Sequence, residues 1–414
     1  MHFYISSKAP LFLFLLFCLV NPAAAQVAKL PTWVKNLPLL QWHAIPNTKL
    51  SDIAPRPTPL GNNGPVSKIT AWNGATLKRE GSVYLLGAAG GHADYAGNEV
   101  NALKLNTETP KWVELSPPTT NSQLINRSQY YLDLKPSATH TYYGTQFIDA
   151  RNRMIVVASP GMDFGALPIP PTDWAYANLS SYSFSFNLAT NTWDKPEYFA
   201  SYPGGGDYTA ALVVKHPVTE DIYYSRSYGG SAWWRWTQRT NTWSKLSDAT
   251  RAPWYVGAAI DPLSNQMLLV GSAGDDIPAE VRGLTGQRIS VTFHGLGPDA
   301  LRLSGYTGVV YDEANKVFLV VYNNPVTSKI SILRVNPKTW FVDRLPVTGL
   351  LPANRQNGIH NSVQYVPELG GIVIANSYTD NVMFMRTSAG ATLLPLTFPS
   401  EVPAPPQRRA LPAP

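Results

Sequence analysis

The residues in this chain that could do chemistry are few, and they sit in short irregular stretches. His92, Asp94, Tyr95 and Asn98 share Gly90 to Val100 (GGHADYAGNEV), set between the apolar runs SVYLLGA and VNALKL. Thr139 to Tyr143 (THTYY) carries His140 and Tyr142, and Gly206-Asp207-Tyr208 opens another run. Tyr223 to Tyr228 (YYSRSY) presents Arg226, and Trp254-Tyr255, Gly305-Tyr306 and Arg355 to His360 (RQNGIH, with Asn357) complete the set. A His or Tyr can pass protons as general acid or base, and an Arg can grip a carboxylate through two parallel N–H bonds. One histidine alone is more often structural than catalytic, and a loop Asp or Asn often bonds only its own backbone. What matters is whether the chain brings these groups to one place.

Other chemistries are excluded by composition. Cys18 is the only cysteine, and it lies in the apolar run Leu11 to Val20 (LFLFLLFCLV), ahead of Ala23-Ala24-Ala25. Lys8 is the only charge in this segment, and ten apolar residues are too few to span a bilayer. Residues 1–25 therefore read as a cleaved secretory signal, leaving Gln26 at the mature terminus of a secreted or periplasmic protein. A mature chain without cysteine has no disulfide, no thiolate nucleophile and no zinc-thiolate site. It also has no Tyr–Cys copper centre of the kind a propeller oxidase uses. Glycoside hydrolysis needs two carboxylates flanking the bond, and the stretches above offer only Asp94, Glu99 and Asp207. No metal and no cofactor are expected. The net charge of +6 favours an acidic partner, but no Lys/Arg block points to nucleic acid and no later run is long and apolar enough for a membrane helix. A monomer is expected.

The elements that must position these groups repeat. An apolar strand, a turn on Asp-Pro or Asp-x-x-x-Asn and a second apolar strand recur in FIDARNRMIVVAS, AIDPLSNQMLLVG, VYDEANKVFLVVY and QYVPELGGIVIAN, with KHPVTEDIYYS in the same frame. A later turn leads into Trp112, Trp193, Trp243 and Trp340; the step from Trp193 to Trp243 is 50 residues and that from Trp243 to Trp340 is 97, two units with one Trp missing. Short strands, turn signals and no helical period indicate an all-β fold. A four-stranded unit of this length indicates a single closed β-propeller, near the kelch period. First strands near Ser67, Thr139, Tyr208, Tyr255, Tyr306 and Gly358 count six blades. A seventh is possible within Thr119 to Ala138 or Gly271 to Ser304. Leu39 to Ile45 (LLQWHAI) is expected to pair with the last blade and close the ring. The chain then divides into the signal at 1–25, an N-terminal segment at 26–65 holding that strand, the propeller at 66–399 and a Pro-rich disordered tail at 400–414.

In a propeller, the start of each first strand and the loop between second and third strands share the top face. All the stretches named at the outset occupy such positions, whereas the uniform Asp and Trp turns occupy the bottom. Convergent His, Tyr and Arg without metal, thiol or acid pair suit β-elimination from a uronic-acid chain. Arg neutralises the carboxylate and so acidifies the adjacent carbon; one His or Tyr removes that proton and a second protonates the leaving oxygen.

The GGHADYAGNEV loop and the His-x-Tyr and Asp-Tyr strand starts, on a propeller of this period, resemble exported polysaccharide lyases of the ulvan-lyase type. That resemblance spans most of Pro65 to Pro399 as architecture and is specific only in these short motifs. It implies His140 as the catalytic histidine, Tyr208 as the catalytic tyrosine and Arg226 as the carboxylate neutraliser. The zinc site that some of that family build with a cysteine has no counterpart here. His92, Asn98, Tyr142, Tyr255, Tyr306, Asn357 and His360 are then the expected contacts to an acidic polysaccharide. The alternative is a non-catalytic propeller that binds glycan or protein through the same face.

Overall fold

The computed structural model describes residues 30–91, 93–126, 128–157, 183–195, 198–200, 211–226, 231–272, 277–303 and 306–390. The proposed signal and tail, together with His92 and Tyr208, lie outside them. Apolar runs such as MLLV, FLVV and GIVI are buried on both faces, as in strands sandwiched between neighbouring sheets. Six sheets result, arranged as a β-propeller. Their inner strands are Thr76–Lys78, Thr145–Ile148, Leu212–Lys215, Gly257–Asp261, Gly308–Asp312 and Val363–Val366. Among the described residues, the two stretches that offered a seventh blade supply none. Those in 119–138 hold a short 3₁₀ turn and no strand, and those in 271–304 contain the outer half of blade four.

Blade six is completed from the far end of the chain. Gln41–Lys49 runs antiparallel to Asn381–Arg386, with Trp42 opposite Met385 and His43 opposite Phe384, so the first and last described strands share a sheet. Trp112, Trp193 and Trp243 lie on the outer strands of blades one to three, opposite Leu103, Phe186 and Trp236. Trp340 stands one residue before the outer strand Phe341–Arg344 of blade five. The outer strand of blade four, Arg288–Ile289, has no Trp.

The bottom turns work as their composition implies. Asp312 accepts the N–H groups of Ala314 and Asn315 at 3.1 and 3.0 Å, and Lys316 takes the left-handed position at φ 56°. In blade three His216 stands in the Asp's place. Its Nδ1 accepts the N–H groups of Val218 and Thr219, which leaves Nε2–H to donate to Asn265 of the next blade at 3.0 Å. Further bonds stitch neighbouring blades together. Asp149 accepts the Arg79 N–H, Glu220 accepts the N–H groups of Asp149 and Ala150, and Glu368 accepts Gly81 N–H and Ser82 O–H.

One bond crosses the axis. Arg79, just past the inner strand of blade one, places its guanidinium fork on Glu313 of blade five at 2.7 and 2.8 Å and also donates to the Pro217 carbonyl of blade three. Both side chains are buried. The pair closes the floor of a central cavity of about 120 Å³ lined by the inner strands. Removing one partner of a buried pair strands the other charge at a cost of about 3–5 kcal/mol. Arg79→Met and Glu313→Leu should each lower the unfolding free energy by about that much in chemical denaturation, and the double variant should recover much of the loss. Single variants within about 0.5 kcal/mol of wild type, as for ordinary surface positions, would contradict this role.

Candidate functional site

The top of the ring is built on backbone that residues with side chains seldom adopt. Trp72, Tyr142, Tyr255, Tyr306 and His360 each lie two to four residues ahead of an inner strand, and all have left-handed φ values, of 50°, 44°, 51°, 73° and 48°. For bulky residues this is an outlier conformation costing roughly 1–3 kcal/mol apiece. The neighbours compensate through the backbone. The N–H of Tyr142 donates to the Trp72 carbonyl at 2.9 Å, Tyr306 N–H to Tyr255 O at 3.2 Å, and His360 N–H to Tyr306 O at 3.1 Å. Tyr142, Tyr306 and His360 thus hang on their counterparts in the preceding blade. The inner strands accordingly begin later than the sequence suggested. Thr139, Tyr255, Tyr306 and Gly358 belong to these entry loops, and Ser67 opens a short helix, Ser67–Thr70.

The consequence is a continuous set of rings. His140 meets Trp72 and Tyr142 at centroid distances of 5.1 and 5.8 Å. Tyr142 meets Tyr255 and His360, both at 5.6 Å, and Tyr306 meets Tyr255 at 4.8 Å and His360 at 5.1 Å. Groups from blades one, two, four, five and six therefore converge.

The loop 90–100 supplies the acid of this cluster. Gly90 N–H donates to Thr139 O and Thr139 N–H to Ala88 O, so the loop is pinned to the entry of blade two. Gly91, at φ 100°, leaves no room for a side chain: a Cβ there would lie 2.6 Å from the backbone nitrogen of His140. Asp94 is thereby set 3.2 Å from His140 Nε2, while Asn63 donates to its other oxygen. On the far side of the imidazole, the Tyr142 hydroxyl is 3.5 Å from Nδ1. A carboxylate, an imidazole and a phenol in line can hold a histidine in one orientation and pass a proton along it. Behind the loop a buried ion pair, Lys68 to Glu99 at 3.2 Å, with the Tyr95 hydroxyl on the same carboxylate, fixes its return.

Beneath the rings the site is sealed. Tyr143 crosses the axis, its hydroxyl shared between the carbonyls of Tyr255 and Thr307 at 3.1 and 3.0 Å. Arg355 is 1 % exposed and donates to the Gly358 and Asn73 carbonyls; burial lowers its pKa to about 10. His360 is 1 % exposed, with Nε2–H on the Asn357 carbonyl at 2.8 Å. Burial first, and Arg355 second, depress its pKa to about 3.

The sequence candidates divide accordingly. The described contacts bring together His140, Tyr142, Tyr255, Tyr306 and His360. Asn357 borders the cluster and holds it, donating to Thr70 O at 2.7 Å. His360 is a member that supports the rings from within rather than one that faces a ligand. Arg226 follows the second strand of blade three at the upper end of that blade, half-buried. Asn98 stands elsewhere. Fully buried, it donates to Thr119 Oγ1 and Pro136 O and accepts the Thr119 N–H, so its removal would cost loop stability rather than ligand contacts. The groups that sequence reasoning did not assign to the site are Asp94, Trp72, Tyr143 and Arg355. Asp94, Tyr143 and Arg355 lie in the same irregular stretches as His92, His140 and His360, and that was their one signal; Trp72 lies in none of them.

Comparison with known proteins adds the following. No protein-family model matches the chain, and no curated protein matches it. Among solved structures it is similar to a structural genomics protein of unknown function from Bacteroides thetaiotaomicron VPI-5482. That likeness has 9% identity and a TM-score of 0.46, over 83% of this chain and 74% of that one.

The buried state of His360 has a measurable consequence. Its pKa is about 3 when folded and 6.5 ordinarily, so between those values the unfolded chain binds a proton that the folded protein refuses. Stability contributed by neutral His360 is complete above about pH 6.5 and falls as the pH drops toward about 3, by up to about 1.4 kcal/mol per pH unit. His360→Gln should show a shallower acid-side slope than wild type in denaturation across that range. In wild-type protein the His360 ring resonances should not titrate between roughly pH 5 and pH 8. A normal titration there would refute the enclosed placement.

Proposed function

We propose that the top face binds an acidic, uronate-containing polysaccharide and cleaves it by β-elimination. The observation that carries this reading is the line Asp94–His140–Tyr142 set among aromatic rings contributed by five blades. Asp94 orients His140 and stabilises its protonated form, as a buried carboxylate does for a proton-transferring histidine. Half-buried rings at Trp72, Tyr255 and Tyr306 offer apolar faces with polar edges, suited to sugar rings.

In the reaction, the proton on the carbon next to the uronate carboxylate leaves to a base. The bond from the neighbouring carbon to the glycosidic oxygen breaks, a carbon–carbon double bond forms, and the oxygen takes a proton. No electrons are gained or lost overall. Arg226, at the top of blade three, is assigned to the substrate carboxylate, where a guanidinium fork neutralises charge that would otherwise oppose proton removal. His140 moves one proton. Tyr208, which the family resemblance names, moves the other, and Tyr142 is hydrogen-bonded into the same relay.

The test is ultraviolet detection of unsaturated uronate product across a panel of acidic polysaccharides. His140→Ala and Tyr208→Phe should each reduce turnover by about 10²- to 10⁴-fold. Asp94→Asn should also reduce turnover while leaving binding intact. Arg226→Ala should abolish turnover, and Arg226→Lys should restore little, because a point charge does not reproduce the fork. A wild-type protein that binds a uronate polymer yet releases no unsaturated product would replace this reading with the non-catalytic binding propeller.

A further inference from the structure

The structure points to a second element of the same face: we infer that the cleft between blades five and six is a binding subsite for an anionic sugar residue. This inference rests on the polysaccharide reading above but not on the elimination chemistry. The cleft encloses about 340 Å³, within the range of ligand pockets, and opens beside the ring cluster. Its position follows from topology. Arg302 and Leu303 precede the inner strand of blade five, Tyr322 and Pro325 flank the upper end of its second strand, and Asn357 precedes the inner strand of blade six. All of these are top-face positions.

Its chemistry is mixed in the way a charged sugar requires. Tyr306 and Tyr322 are half-buried, and their rings can cover the C–H face of a pyranose. Leu303 and Pro325 add apolar surface. Arg302 is the cation of the lining. Its Nε bonds Asp299 at 3.2 Å; Asp299 is 88% exposed, and exposed pairs of this kind contribute little. The cleft is also continuous with the candidate catalytic group. Tyr306 lines it and meets Tyr255 and His360, each of which meets Tyr142, the neighbour of His140. An extended chain seated on the half-buried rings of Tyr306 and Tyr255 would run from the cleft toward His140.

Calorimetric titration with a β-1,4-linked glucuronate hexasaccharide, and with cellohexaose as its neutral counterpart, tests the subsite. Wild-type protein should bind the acidic hexamer more tightly. Arg302→Gln should weaken that binding by roughly tenfold or more, as for loss of a hydrogen bond to a charged group, and should leave the neutral hexamer unchanged. Tyr322→Ala should weaken both by about tenfold, in line with loss of a buried apolar contact. Melting curves of both variants should match wild type, since Arg302 is exposed and Tyr322 only partly covered. Failure of wild type to prefer the acidic hexamer, or wild-type affinity in Arg302→Gln, overturns the subsite. Unsaturated product with a KM unaffected by Arg302→Gln would remove the subsite and leave the lyase reading standing. Arg302-dependent binding without product would do the reverse.

Discussion

Everything in this molecule depends on closing a ring of sheets, because an open ring would leave an unpaired edge and a split core. Closure is made three times, at different depths. At the rim, Gln41–Lys49 joins the sheet of Asn381–Arg386, tying strands more than three hundred residues apart. At the floor, Arg79 reaches across the axis to Glu313 while donating to Pro217, so blades one, three and five are held at one point. At the top, Tyr143 crosses to the carbonyls of Tyr255 and Thr307. Cys18 is the only cysteine, so no disulfide braces the ring, and these polar crossings and the packed strands hold it.

The top crossing also creates the candidate site. Left-handed backbone at Trp72, Tyr142, Tyr255, Tyr306 and His360 is costly one residue at a time. At Tyr142, Tyr306 and His360 the residue's N–H donates to the carbonyl of a left-handed residue in the preceding blade, which offsets that cost. Strain repeated around the axis places rings from five blades in mutual contact and aims His140 at Asp94. Strained backbone that gathers aromatic and titratable side chains is the kind of feature that marks a functional surface.

The architecture was legible in the sequence because blade turns must repeat. Asp261 and Asp312 accept backbone N–H groups in the same way, and Asn265 and Lys316 take the left-handed position that follows. The Trp residues mark outer strands for the same reason. The entry loops were harder to read. Tyr142 and Tyr306 look like strand residues by propensity, and the bond each makes to the preceding blade holds its backbone out of the β region. Asn98 looked like a ligand group because it sits in a polar loop, but that loop needs an internal amide to bond Thr119 and Pro136. The Asp94–His140 bond could not be read from spacing, since 46 residues separate the two and their meeting depends on the loop pairing with the entry of blade two. The cleft beside Tyr306 likewise draws Tyr322 and Arg302 from segments with no shared motif.

The most direct measurement is histidine side-chain NMR during titration of the protein with a uronate hexasaccharide. His140 lies in the top-face cluster, whereas His216 is locked in a bottom turn by Val218, Thr219 and Asn265. The expected result is a saturable shift of the His140 signals with His216 unmoved. Shifts at His216 with His140 silent would contradict the top-face site.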